Sequence, residues 1–335
     1  MLRLIFLLLF PTIVTAQLKR FQFTENKMGS SFSIIFYHTD SLSASSIAKE
    51  CFALVDSLND VFSDYSSTSE VGQLASMQIV KDQKVSDELF EMIQRSKQAW
   101  LRSRKTFDIT MGALTQLWRK AKRENRFPSE AEVRAAKALT GFKNLSINEI
   151  SKTISFKKPG IRFDFGGIVP GYAAQRVMDF LKNKGISTAL VDASGDIVVS
   201  DAPPGKGGWI IAINLPESQN EVWDKHLELK NSAVSTSGGV YRYLIHNGKK
   251  YSHIIDPETG YGVTSQQNVT VITKYGADAD WLATACSILP VKKALKLAKK
   301  EHAAIMITTV NGEKIATYQS KSFDRHFQKN NHELR

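Results

Sequence analysis

Ile161-Arg162-Phe163-Asp164-Phe165-Gly166-Gly167-Ile168-Val169-Pro170-Gly171-Tyr172 passes from alternating apolar residues through a glycine pair into a helical pattern that stops at Gly185. The alternation predicts a strand over 161–165, the glycines a tight turn, and the following spacing a helix over about 171–184. A carboxylate, Asp164, then stands before glycines that let a ligand approach the backbone, with helix N-terminal N–H groups beyond. Taken alone the stretch suits a nucleotide cradle or an ordinary tight turn.

Upstream, Ile47, Cys51, Leu54, Val55, Leu58 and Phe62 recur with a helical period. A second helical stretch covers about 87–101. A third starts at Ser129, where Ser129-Glu130-Ala131-Glu132 has the form of a capping box, and is expected to end near Gly141. Residues 145–147 and 154–156 alternate across a polar turn as a hairpin. Downstream, strands are expected at 188–192, 197–200, 209–214 and 240–245, the last turned by Asn247-Gly248 into 250–254. Helices at about 277–289 and 291–301 lead to a closing hairpin, 305–307 and 314–318, turned by Asn311-Gly312. Strands thus come partly in hairpins and partly with helices between them. That order implies an α+β fold with mixed, largely antiparallel sheets and packed helices, and argues against a regular doubly wound fold.

With 335 residues, 42% hydrophobic and 23% charged, the chain can bury a large core in one domain or two interleaved ones. Residues 1–16 carry Arg3, an apolar run from Leu4 to Phe10 and the small-residue ending Val14-Thr15-Ala16, which read as a cleaved signal peptide. The apolar run is shorter than the roughly 20 residues a spanning helix needs. The expectation is a soluble exported protein, periplasmic or otherwise extracytoplasmic, with a domain over 17–327 and a polar tail over 328–335. Cys51 and Cys286 both lie in apolar helical patterns, so no structural disulfide is expected, and no Cys/His spacing suits zinc. The net charge of +11 is carried by scattered residues such as Arg119-Lys120-Ala121-Lys122-Arg123. Nucleic-acid binding calls for a basic stripe interleaved with aromatics, so no nucleic-acid partner is expected, whereas a positive field still attracts a polyanionic small molecule.

Two further stretches carry chemistry. Ser252-His253-Ile254-Ile255-Asp256-Pro257-Glu258-Thr259-Gly260 puts an imidazole and a carboxylate into a sharp turn, while Asp280 and Thr284 stand four residues apart on one helical face. Oxygen ligands so placed suit a hard cation such as Mg²⁺, and a Mg²⁺ site beside a histidine suits phosphate chemistry. Taken singly, Asp280 also reads as a helix-terminal carboxylate and His253 as a hydrogen-bonded structural residue. Thr106-Phe107-Asp108-Ile109-Thr110 reads first as a helix start capped by Asp108 or Thr110. Ser63-Asp64-Tyr65-Ser66 reads as a turn or as a ring available for stacking.

In their joint order these segments resemble the FAD:protein FMN transferase (ApbE) family over nearly the whole mature chain. The matching pieces are Met28-Gly29-Ser30, Ser63 to Tyr65 with Ser69-Glu70-Val71, Phe107-Asp108 with Thr110 and Leu114, and Asp164 to Tyr172. They continue with Gly195-Asp196-Ile197, Ser235 to Gly238, Ser252 to Gly260 and Ala279 to Ala285. The resemblance implies an ApbE-like, T-fold-like architecture. It also implies a Mg²⁺-dependent flavinyltransferase that cuts FAD at its pyrophosphate, attaches FMN through a phosphoester to a Thr or Ser hydroxyl of an acceptor flavoprotein, and releases AMP. Carried over by position, Asp280 and Thr284 supply side-chain oxygens to Mg²⁺, with the carbonyls of Gly167 and Ala283 beside them. His253 is the base, and Asp256 orients it or acts on the metal side. Met28, Tyr65, Thr106, Phe107, Asp108, Asp164, Pro170 and Ile254 line the FAD site. The acceptor implied is membrane-associated. An FAD pyrophosphatase giving FMN and AMP, and an exported FAD-binding protein without turnover, are the alternatives. The chain departs from the family pattern at Pro170, where Lys is common, at Gln175, where Asp is common, and at Ser194-Gly195-Asp196, where Gly-Gly-Asp is usual.

Overall fold

The computed structural model describes residues 17–214, 222–239, 243–311 and 314–328. The expected signal peptide, most of the polar tail, the turn residue Gly312 and residues 240–242 of one expected strand lie outside them.

The chain opens with a hairpin, β1 (Lys19–Lys27) and β2 (Ser30–His38), and then leaves the sheet. The excursion contains α1 (Ser41–Phe62), α2 (Glu70–Ser76), the short β3 (Gln83–Lys84), α3 (Asp87–Arg102), α4 (Gly112–Arg123) and α5 (Glu130–Lys137). A hairpin, β4 (Leu145–Asn148) and β5 (Thr153–Phe156), and the helix α6 (Val169–Asn183) return it to β6 (Ala189–Ala193) and β7 (Asp196–Val199). A second hairpin, β8 (Trp209–Asn214) and β9 (Val222–Leu229), precedes β10 (Ser232–Gly238). A third, β11 (Tyr243–His246) and β12 (Lys249–Ser252), precedes β13 (Gln267–Thr273). Then follow α7 (Gly276–Ile288), α8 (Val291–Lys300), β14 (Ala304–Asn311) and β15 (Lys314–Gln319).

The main sheet has the order β1-β2-β6-β7-β10-β13-β14-β15. Every strand pairing among the described residues is antiparallel, so the expected mixed character is corrected to antiparallel within an α+β fold. Strand alternation separates two faces. Phe32, Ile34, Phe36, Val191, Val269, Val271 and Ile305 meet the helices. Leu190, Val199, Val234, Ile272 and Met306 meet the β8–β9 hairpin through Trp209, Ile211 and Leu227. A smaller cluster of Leu114, Trp118, Val133 and Ile255, with Leu244 and Tyr251 against it, ties α4 and α5 to the β11–β12 hairpin.

Residues 161–165 are extended but belong to no sheet. Only two backbone bonds hold them to the preceding turn, Asp164 N–H to Ile109 O at 2.7 Å and Gly112 N–H to Arg162 O at 3.1 Å. The period-2 pattern arises because Ile161, Phe163 and Phe165 are buried, which requires an extended chain and no ladder partner. The third helix has its capping box on Ser129 and Glu132 but closes at Lys137, short of Gly141. Cys51 and Cys286 are free and buried, and burial pushes both thiols up to about 12.

Candidate active site

α7 is rich in alanine and buried on nearly every side, lying between the sheet and α6. Small residues let the two helices meet backbone to backbone. A Cβ on Gly171 would lie 2.3 Å from the Gly276 carbonyl oxygen and 2.8 Å from the Asp280 Cβ. That approach drives the Asp280 side chain, only 4% exposed, against the first turn of α6. Its Oδ2 accepts the Gly171 N–H at 3.0 Å. One turn further along α7, Thr284 faces the glycine turn. A side chain on Gly167 would meet Thr284 Oγ1 at 2.9 Å and the Phe107 ring at 3.4 Å. Asp280, Thr284, Gly167 and Phe107 are therefore brought together, and Trp281 backs them with its ring 6.2 Å from that of Phe107. Ala283 is fully buried, and its carbonyl accepts from Ser287 Oγ at 2.9 Å.

Asp196 joins this group although its motif carried no assigned role. It starts β7 after the Ser194-Gly195 turn, whose φ values of 60° and 103° are both left-handed, and pairs in register with Ser235 of β10. Ser235 Oγ donates to its carboxylate. Burial, with the charge of Asp192 added, pushes the Asp196 carboxyl up to about 7. Burial and then the charge of Asp196 raise Asp280 well above the carboxylate range. A buried and a half-buried carboxyl with a hydroxyl and carbonyls form a hard-oxygen donor set whose mutual repulsion a divalent cation relieves, so the residues present fit Mg²⁺. Among the described residues no cluster of three His, Cys, Asp or Glu side chains is placed to hold a metal ion.

At the other end of the glycine turn, Asp164 Oδ1 accepts the Gly166 N–H at 2.8 Å. Its Oδ2 takes Arg119 Nη2 at 3.3 Å, while Arg119 Nη1 donates to Asp64. The same guanidinium lies 4.3 Å from the centroid of the Tyr65 ring, which is 80% exposed. Burial and the charge of Asp164 raise Asp64, and Arg119 opposes both. Asp108 is buried, which raises its carboxyl, and it caps the short turn 109–111 by accepting Thr110 N–H at 2.8 Å and Thr110 Oγ–H at 2.6 Å. Thr106 is half-buried just after the left-handed pair Arg104 and Lys105. Met28 occupies the β1–β2 turn with φ 51° and packs on the main core.

His253 is exposed directly after β12, and Ile254 beside it is buried. Ser252 Oγ accepts the Ile254 N–H at 3.0 Å and so bends the chain at His253. Asp256 closes the following turn. Its Oδ1 accepts Glu258 N–H at 2.8 Å, and its carbonyl accepts Gly260 N–H at 2.8 Å. Pro170 sits in the first turn of α6, where a missing N–H costs nothing. Gln175 Oε1 accepts the Gly276 N–H at 3.2 Å, so a neutral amide caps α7 where the family pattern has a carboxylate.

Fold and site define an α+β protein in which two helix N-termini converge on a buried, thiol-free set of oxygen donors. The ApbE family profile matches residues 28–307, and the chain belongs to the ApbE family. The FAD:protein FMN transferase of Klebsiella pneumoniae (strain 342) is 28% identical over 286 residues, covering 85% of this chain and 87% of that relative. The enzyme of the same name from Escherichia coli (strain K12) is 27% identical over 275 residues, covering 80% and 78%. Among solved structures, apo flavinyl transferase ApbE of Pseudomonas stutzeri superposes with a TM-score of 0.82 at 31% identity, covering 93% of this chain and 98% of that one. The ApbE protein of Thermotoga maritima gives 0.82 at 27%, covering 93% and 100%.

Proposed function

We propose that this protein is an FAD:protein FMN transferase that joins the FMN half of FAD to a Thr or Ser hydroxyl of another flavoprotein and releases AMP. The observation that carries the reading is the Asp280–Thr284 pair set against the Gly166-Gly167 turn at the start of α6. Asp280, Thr284 and the carbonyls of Gly167 and Ala283 would hold Mg²⁺. Bound there, the ion supplies Lewis-acid neutralisation of phosphate charge.

The N–H groups at the start of α6 add positive potential to the same place. Tyr65, held on Arg119, offers its open face to a flat ring, and Phe107 closes the floor beneath the glycine turn. His253 accepts the proton of the attacking hydroxyl. The hydroxyl oxygen then bonds to the flavin-side phosphorus, the pyrophosphate P–O bond breaks, and AMP departs with that electron pair. Asp256 fixes the turn that carries His253. With residues 1–16 removed as a leader, the enzyme acts outside the cytoplasm on a membrane-associated acceptor. The test is incubation with FAD and Mg²⁺, with and without a Thr-containing acceptor. AMP with labelled acceptor supports transfer, AMP with free FMN indicates a pyrophosphatase, and intact bound FAD indicates a carrier.

A further inference from the structure

We propose that the outer edge of β11 receives the acceptor protein, which adds an extended acidic segment there as a third strand and so delivers its Thr or Ser to His253. This rests on the transferase reading above. Asn247 and Gly248, with φ of 48° and 72°, form a two-residue hairpin loop. His246 and Lys249 are then a hydrogen-bonded pair, while Ile245↔Lys250 and Tyr243↔Ser252 are not. The N–H and C=O groups of Tyr243 and Ile245 therefore point away from β12, and among the described residues none of them finds a backbone partner. The opposite edge is taken, since Ser252 N–H bonds to Val263 O and Val263 N–H to Ile254 O, both at 2.9 Å.

Beside the open edge lies a cavity of about 500 Å³, walled by all of β11 on one side and by Lys122, Asn125, Arg126 and Phe127 on the other. Ile245 is 65% exposed on this strand, which has neither proline nor bulge to block pairing. Main-chain groups give such an edge affinity for any extended segment, and flanking side chains give choice. Here the flanks are cationic. Glu124 and Glu132 are engaged by Lys120 and Arg126, while Lys122, Arg123 and Lys249 have no carboxylate partner among the described residues. These charges repel a second copy laid edge to edge and attract a segment bearing Asp or Glu. Register supplies the link to chemistry. Tyr243 lies opposite Ser252, the residue before His253, so a segment added to β11 ends level with Ser252 at two strand spacings, about 10 Å, which about three further extended residues span.

The probe is a labelled peptide of about ten residues with a central Thr flanked by Asp, the length of a typical added strand with its flanks. Two further versions carry N-methyl groups on one or the other set of alternate amides. Binding is read by anisotropy without FAD, and FMN transfer is read separately. Binding is expected to survive one methylation set and fail with the other. Ile245→Pro, and separately Lys122→Glu with Lys249→Glu, are expected to weaken peptide binding and raise its KM about tenfold, roughly one net hydrogen bond or charge pair. FAD affinity is expected to stay unchanged. No peptide binding, equal tolerance of both methylation sets, unchanged affinity in both variants, or loss of a protein dimer in Ile245→Pro overturns the proposal. Register-dependent binding without FMN transfer upholds the edge and removes the transferase reading instead.

Discussion

Replacing Asp196 by Asn tests the charge balance at the core of the site. Asp196 is half-buried beside Asp280, and its carboxyl is pushed from an ordinary value of 3.8 up to about 7 by burial first and by Asp192 second. In the unfolded chain that group ionises near pH 4, whereas in the folded protein it keeps its proton until about pH 7. Stability is therefore full below about pH 4 and declines as pH rises toward 7, because the folded state binds the extra proton. A rise of that size corresponds to at most about 4 kcal/mol once both states are ionised, and partial exposure of the carboxylate to solvent reduces it to about 3 kcal/mol. Metal-free Asp196→Asn is expected to exceed wild type by about 3 kcal/mol at pH 8 and to equal it near pH 4. At about 1.4 °C per kcal/mol for a chain of 335 residues, Tm rises by about 4 °C. Thermal melts in EDTA across this pH range, repeated with Mg²⁺, measure it. Mg²⁺ is expected to raise the wild-type Tm more than that of the variant. A Tm difference independent of pH, or no gain at pH 8, would refute the electrostatic account.

Asp280→Ala removes the buried carboxyl. It is expected to raise metal-free Tm at pH 8 while reducing Mg²⁺-dependent AMP release by at least about a hundredfold, measured on the same preparation. Gly171→Ala forces a methyl to within 2.3 Å of the Gly276 carbonyl, so the helices must separate. An overpacking cost of about 1–3 kcal/mol is expected in denaturant unfolding, with weaker Mg²⁺ binding by calorimetry. Arg119→Gln leaves Asp64 and Asp164 facing each other with their side chains 10% and 15% exposed, and frees the Tyr65 ring. FAD affinity is expected to fall about tenfold by flavin fluorescence, with a loss of about 1–2 kcal/mol in stability. Unchanged affinity would leave Arg119 a purely structural residue.

The helices α1, α3, α6, α7 and α8 and the hairpin turn at Asn247-Gly248 were legible because local spacing and turn chemistry fix them. β10 and β13 were not. They are central strands, yet Ser235, Gln267, Asn268 and Thr270 are buried, and such residues imitate loop composition. Their partners lie far along the chain. Thr236 and Thr270 share a hydroxyl bond of 2.9 Å, and Gln267 Nε2 donates to the Ser287 carbonyl at 2.7 Å, closing the C-terminus of α7. β1 escaped notice because Lys19–Lys27 is an exposed edge strand with two phenylalanines half-buried on one face.

By itself the amino-acid order determined which segments curl and which turn, the supply of hard oxygen donors at Asp280 and Thr284, and the glycines before α6. Local backbone preference and hydrophobic period act over a few residues, so they can be read in line. Only the tertiary structure decided that Asp196 and Ser235 stand beside Asp280, that Arg119 binds Asp64 and Asp164 together under Tyr65, and that β11 keeps an open edge. Charge coupling and desolvation act through space between segments remote in the chain, and no local pattern encodes them.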